Sequence, residues 1–289
     1  MFGLPASAVA GLPGGAGFAL LALGIVLLYR MAGVVSFAQN GFGVFGALVF
    51  IDLQHGAHVP FALALLLGLL LSAVLCGVLG WAMARWFSNR SALIRSAVTI
   101  AVAVCLTTAA ERIFGASAPN IPPLVPGPNF RVGSTQLPAN TIFAVVLAVV
   151  IAVGLEVLLR TTRLGVWLRA VSERAHTAQL LGVRVTRLTV GVWAVSGAFA
   201  AIALILLAPT VATDPADLAS ASIEAFAAAL IAGLTNLGVA VVAALLIGVF
   251  EGMAVATPSL SSYQQLVPLL AIILVLLWSK RGEVWGEAR

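Results

Sequence analysis

Charge is scarce in this chain of 289 residues: Asp, Glu, Lys and Arg make up 9% of it, while 62% is hydrophobic. Soluble domains carry about 25% charged residues, so there is too little polar surface here to cover a fold in water. That excludes a soluble catalytic domain. Cysteine is nearly absent, and Cys76 and Cys105 both lie in apolar runs, where a thiol packs as a small hydrophobe. Neither a disulfide framework nor a thiolate metal site is indicated. His55 and His58 have a helical metal spacing, but two ligands on a loop make no site. The single lysine, Lys280, belongs to no G-x-x-x-x-G-K-[ST] sequence, so the chain has no P-loop of its own. The net charge of +5 is scattered between apolar runs, without the clustering that nucleic acid requires. No Ser/His/Asp arrangement, paired acid site or metal cluster stands at one membrane depth, so no catalytic residue is expected. The first thirty residues lack a basic residue before Arg30, unlike a secretory leader, and read as a retained first span.

What the chain has in quantity is apolar runs, and crossing a bilayer takes roughly 20 such residues. Long runs lie at about 15–32, 60–86, 91–114, 141–160, 188–210, 238–257 and 261–279. Two shorter Gly- or Ala-rich pieces, about 41–53 and 222–236, read as thin or broken spans. Basic residues near span ends are retained in the cytoplasm. With the N-terminus outside, Arg30, Arg85, Arg90, Arg95, Arg160, Arg163, Arg169, Arg174, Arg184, Arg187, Lys280, Arg281 and Arg289 fall inside. Only Arg112 and Arg131 remain outside. This balance needs an odd number of crossings, nine with both short pieces or seven with neither. The expected fold class is an all-α integral membrane protein of about nine transmembrane helices, N-terminus out and C-terminus in. Pro119, Pro122, Pro123, Pro126 and Pro128 stiffen one outer loop, and Asp214 and Asp217 mark another.

In both halves a long span is followed by a polar break and a short piece, SFAQNGFGVFGALV and SIEAFAAALIAGL. With nine spans the copies run oppositely, suggesting inverted repeat units of about 15–114 and 188–279 joined by the 141–160 span. Such repeats place a solute path near the midplane, beside interrupted helices. Candidates to line it are Ser36, Phe37, Gln39, Asn40, Phe42, Phe45, Glu224, Thr235 and Asn236. For the polar ones the competing role is hydrogen bonding between helices, for the phenylalanines packing, and for Glu224 capping of the helix it opens. Glu156 and Glu111 lie near span ends, where Arg160 and Arg112 can pair with them.

The inner loop RTTRLGVWLRAVSERAHTAQLLGVRVTRL, 160–188, is basic yet carries a helical pattern. Ala175, Ala178 and Leu181 form a small apolar stripe beside Glu173, Arg174 and His176, and Gly182 suits a helix stop. Such a helix docks either on another protein or on the lipid interface.

This loop resembles that of the LivH-type permeases of branched-chain amino acid ABC importers, T-x-x-G-x-x-x-R-A with an A-x-x-L-G ending. The matching residues are Thr162, Gly165, Arg169, Ala170, Ala178, Leu181 and Gly182. GVVSFAQNGFGVFGALV is similar to the same family's pattern at Gly33, Phe37, Ala38, Gly46 and Ala47, with Asn40 where that pattern has glycine. AFAAALIAGLTNLGVAVVAALLIGVFEG, 225–252, is similar to another block, with Ala232, Thr235 and Asn236 departing from it, and SKRGEVWG replaces a Pro-x-Gly near the end. The resemblance, from about 17 to 286, implies one permease domain over 1–289 in a bacterial cytoplasmic (inner) membrane. It implies a second, LivM-like permease subunit, two ATP-binding subunits that hold ATP and Mg, and an extracytoplasmic solute-binding protein; membrane lipid surrounds it. Segment 163–187 then couples to the ATPase through Arg169, Glu173, Ala178, Leu181 and Gly182. Branched-chain amino acids lead as solutes, with amides, urea and small aromatic acids open. A stand-alone secondary transporter or channel is the alternative, which the inverted repeat also allows.

Overall fold

The computed structural model describes residues 4–88, 90–115, 130–132, 135–209, 215–257 and 266–283. The prolines at 119, 122, 123, 126 and 128, Asp214 and Arg289 lie outside them, as do the side chains of His55, Asp217, Lys280 and Arg281. The helices in chain order are α1 (Leu4–Ala10), α2 (Leu12–Ala32), α3 (Ala38–His55), α4 (Phe61–Trp86), α5 (Ala92–Phe114), α6 (Ala139–Thr161), α7 (Arg163–Leu180), α8 (Val185–Leu207), α9 (Pro215–Ile231), α10 (Leu237–Val255) and α11 (Leu266–Glu283). Between α5 and α6 the short strands β1 (Phe130–Val132) and β2 (Thr135–Leu137) pair antiparallel, Arg131 opposite Gln136, a hairpin that the all-helical expectation lacked.

Six of these helices, α2, α4, α5, α6, α8 and α10, are long and apolar enough to cross a membrane. The protein is a multi-pass membrane protein. Shorter apolar stretches occupy α9 and α11 at Leu218–Ile231 and Leu266–Leu277. The expected piece at 222–236 is displaced toward the N-terminus, because Gly233 and Leu234 adopt left-handed φ of 61° and 57° and end α9. The amide N–H of Leu234 closes that end on Ala229 O at 2.8 Å.

A helix that is hydrophobic all round is buried in protein or faces lipid. The hub is α2, ringed by α6, α8, α9 and α10 and buried along most of its length, whereas α5 is hardly buried at all. Leu66, Leu70, Val74 and Val78 of α4, with Leu270, Leu274 and Leu277 of α11, present exposed apolar faces suited to lipid. Arg30, Arg85 and Arg160 end their helices, and Arg95 lies in the first turn of α5. The Arg30–Glu156 bridge brings the ends of α2 and α6 together, so these groups define a basic end of the bundle.

Lipid offers little drive for helix association, so close contact depends on small residues. At the crossing of α10 with the α1–α2 turn, Gly248 and Gly252 face Gly11 and Gly15, a small-x-x-x-small pair on each side. A Cβ on Gly248 would lie 2.4 Å from Gly15 N and 2.6 Å from Gly11 O, both backbone atoms that cannot swing aside. Polar ties add direction, as where Ser72 Oγ donates to Gly197 O at 2.7 Å and fixes α4 on α8.

Gly248→Ala is expected to destabilise the protein by about 1–3 kcal/mol through overpacking. Gly191→Ala, where an added Cβ meets nothing within 4 Å, should stabilise α8 by up to about 1 kcal/mol through helix propensity. Thermal unfolding of both variants in one detergent checks the pair.

Candidate functional site

Gly33 takes φ 59° and closes α2, its N–H on Tyr29 O at 2.9 Å. Residues 34–37 are not helical, and α3 begins at Ala38. The chain doubles back over this stretch: Gln39 Nε2 donates to Leu21 O, in the middle of α2, at 3.2 Å. Val34 and Ser36 are buried. Unwound backbone at membrane depth persists only where protein supplies its partners. Here α5 supplies them. Arg95 Nη1 donates to Ala32 O at 3.1 Å, and the Phe37 N–H donates to Thr99 Oγ1 at 3.4 Å.

Around this break the structure gathers several predicted residues. Asn40 Nδ2 donates to Leu218 O at 3.2 Å and Ala219 O at 2.8 Å, tying the start of α3 to the first turns of α9. Ser196 of α8 hydrogen-bonds Gln39 Oε1 and lies 3.3 Å from Gly24 O, so α2, α3 and α8 meet at one polar node. The rings of Phe37 and Phe226 stack at 5.3 Å, and those of Phe45 and Phe114 at 6.1 Å. Phe42 is buried. Ser36 Oγ, Asn40 Oδ1 and Glu224 Oε2 are buried without a hydrogen-bond partner. Beside the node, Ser36, Gln39, Asn40 and Ser222 line a cavity of about 10 Å³, room for one water molecule.

Other predictions need correction. Glu224 sits in the middle of α9, not at its start, because the helix begins at Pro215, so it does not cap. Thr235 and Asn236 are exposed at the α9–α10 turn and do not join the Ser36 group. Asn236 caps α10, its Oδ1 accepting from Val239 N at 3.1 Å. Glu156 pairs with Arg160 at 2.6 Å and also with Arg30 at 3.4 Å. Glu111 and Arg112 are both exposed and form no ion pair with each other, since adjacent helical residues do not face each other.

The loop motif resolves into a joint. Thr162 caps α7, its Oγ1 accepting from Gly165 N at 3.3 Å. Gly165 packs on the end of α6 so closely that a Cβ would sit 2.0 Å from Leu159 O. That same carbonyl accepts from Arg169 Nη1 at 2.6 Å. The T-x-x-G-x-x-x-R spacing therefore bolts α7 to α6. At the other end Gly182, φ 86°, stops the helix as expected, with its N–H on Gln179 O at 3.0 Å. Between the two ends α7 is bent at Arg174, φ −148° and ψ 88°, so the helical pattern of this loop is split into two pieces. Of the predicted stripe only Ala178 is buried; Ala175 is exposed and Leu181 is 79% exposed, with Leu180 at 76%. Glu173 is exposed. Sequence reasoning passed over Thr99 and Arg95; a hydroxyl inside an apolar helix, one turn above an arginine, was the signal.

Apolar helices around a buried polar break, with a basic helix bolted to one end and exposing leucines, define a polytopic membrane transport subunit. The chain belongs to the family of branched-chain amino acid transport system permease components, which matches residues 8–276. It is 26% identical to the high-affinity branched-chain amino acid transport system permease protein LivH of Escherichia coli, over 93% of this chain and 91% of that one. The corresponding protein BraD of Pseudomonas aeruginosa is also 26% identical, over 95% and 93%. LivH of Salmonella typhimurium is 26% identical, over 93% and 91%.

Gly165→Ala is expected to lift α7 from α6 without unfolding the spans. Hydrogen exchange should then accelerate across 163–173 and stay unchanged in α2 and α8.

Proposed function

We propose that this chain forms part of the solute path of an ABC importer for branched-chain amino acids or related small amphipathic solutes. Nine helices, α2 to α6 and α8 to α11, make the crossings, with the N-terminus outside and the basic end in the cytoplasm of a bacterial inner membrane. The path runs past the break at 33–37, lined by Ser36, Phe37, Gln39, Asn40 and Glu224. Pseudo-symmetric packing supports an inverted repeat: α4 lies on α8 as α10 lies on α2, and α3 touches α8 as α9 touches α2. Thr235 and Asn236 belong to the cytoplasmic rim, and Phe42 and Phe45 hold α3 in place.

Power comes from elsewhere. The observation that carries this reading is the far half of α7, where Leu180 and Leu181 lie exposed beyond the buried Ala178 on an otherwise basic segment. An apolar surface of that kind, carried beyond a rigid joint, suits a groove on an ATP-binding subunit. Arg169 would hold the joint, Gly182 would end the helix, and Glu173 and Leu181 would face the motor. Two such ATPases, carrying ATP and Mg, would act on this chain and a LivM-like partner, with solute delivered by an extracytoplasmic binding protein. No catalytic chemistry is assigned to this chain.

Leu181→Asp is expected to abolish solute-stimulated ATP hydrolysis in the reconstituted importer while leaving the thermal midpoint of the permease within a few degrees of wild type. Unchanged stimulation would remove the coupling role. The chain reconstituted alone should move no solute under an ion gradient, and uptake there would favour a secondary carrier instead.

A further inference from the structure

At the basic end of the bundle a cleft of about 280 Å³ opens between α2, the α6–α7 joint and the α9–α10 turn. Its lining is mixed: Tyr29, Arg30, Arg169, Ser172 and Thr235 are polar, and Leu27, Met31 and Leu168 are among the apolar residues. Charge here does not balance. Among the described residues, Arg30 and Arg160 share the one carboxylate of Glu156, and Arg169 is bonded to a neutral carbonyl, so three guanidinium groups meet one carboxylate, a surplus of two positive charges. None of the described lining residues is acidic, so the ammonium group of a zwitterionic amino acid would find no carboxylate among them. An anion with an apolar portion fits this lining.

The level of the cleft narrows the choice. It lies beside the ends of α2 and α6, at the same end of the bundle as the Trp81–Trp86 pair, whose rings meet at 5.4 Å, with Trp86 65% exposed at the close of α4. Exposed tryptophan beside arginine marks the boundary between hydrocarbon and headgroups. We propose that this cleft binds the phosphodiester headgroup of one anionic phospholipid. The phosphate sits between Arg30 and Arg169 beside Ser172, with the Thr235 hydroxyl as a further donor, and the glycerol and first methylenes lie on Leu27, Met31 and Leu168. Guanidinium recognises phosphate through parallel N–H donors, and the surplus positive charge disfavours a headgroup that also carries a cation such as choline. The bound lipid braces three elements at one point: the end of α2, the base of α7 and the α9–α10 turn.

The full chain, purified in detergent and delipidated, is titrated with phosphatidylglycerol, phosphatidylcholine or inorganic phosphate and followed by native mass spectrometry. One phosphatidylglycerol is expected to be retained, with phosphatidylcholine and inorganic phosphate each at least about tenfold weaker. Ser172→Glu, an exposed substitution that sets a carboxylate against the phosphate, should weaken phosphatidylglycerol about tenfold, as should Arg169→Gln. Arg90→Gln, at the same end but outside the cleft, should not. Equal retention of phosphatidylcholine, equal affinity for inorganic phosphate, or an unchanged Ser172→Glu variant would each overturn the proposal. Because the readout is lipid retention rather than uptake, it fails or succeeds independently of the transport reading.

Discussion

Hydrocarbon offers a polypeptide no hydrogen bonds, and this chain spends its few polar side chains where that constraint is sharpest. The backbone leaves the helix at Gly33 and regains it at Ala38, inside the bundle rather than beyond it. The carbonyl at Ala32 and the amide at Phe37 are met by Arg95 and Thr99 of α5. Gln39 and Asn40 then use the first turn of α3 to reach carbonyls of α2 and α9. Without these partners the returning stretch would bury backbone groups that nothing satisfies. The lightly buried α5 is thus held against the core partly by polar bonds, which are directional where apolar packing in lipid is not.

The two halves solve this problem differently. In the first, a five-residue break from Gly33 to Phe37 is satisfied by a neighbouring helix. In the second, α9 receives Asn40 on its early carbonyls and keeps a buried carboxyl oxygen, Glu224 Oε2, without a partner among the described residues. Like packing around unlike centres leaves polar functional groups on the two short helices that meet there. α7 lies between the halves, bolted to α6 through a backbone contact that only glycine permits. Motion of its near half must move α6 with it. The bend at Arg174 separates that rigid base from the exposed leucines, so one short helix combines a fixed root with a surface free to engage.

The long helices were legible because each is a run of apolar residues bounded by charge, as α4 is by Arg85 and α6 by Arg160. Residue roles at the break were less legible. Asn40 departs from the pattern the chain otherwise resembles, and nothing local reveals that its amide would meet Leu218 and Ala219, almost 180 residues away. The extent of α9 was misread because its first turns are polar while its end depends on left-handed Gly233 and Leu234, and leucine carries no sequence signal for that conformation. The placing of Glu224 followed that error. In α7 the caps at Thr162 and Gly182 obey local rules and were readable, whereas the bend at Arg174 has no proline or glycine to announce it.

The node around Gln39 also separates what is fixed from what can part. A cavity of about 10 Å³ cannot hold an amino acid, so the proposed path requires α3 and α9 to move apart. Two kinds of contact resist that movement. Gln39 joins α2 and α8 through buried partners on both sides, and parting it would strand several polar groups at once. Asn40 joins α9 through two carbonyl contacts, and its own Oδ1 is already unpartnered. Breaking contacts of the second kind costs about 1–3 kcal/mol, and entering water can repay part of it. That is the size of gap separating two populated states of one protein. The weak seam therefore runs between α3 and α9, along the polar residues proposed for the path, while the hub of α2 and α8 stays closed behind it.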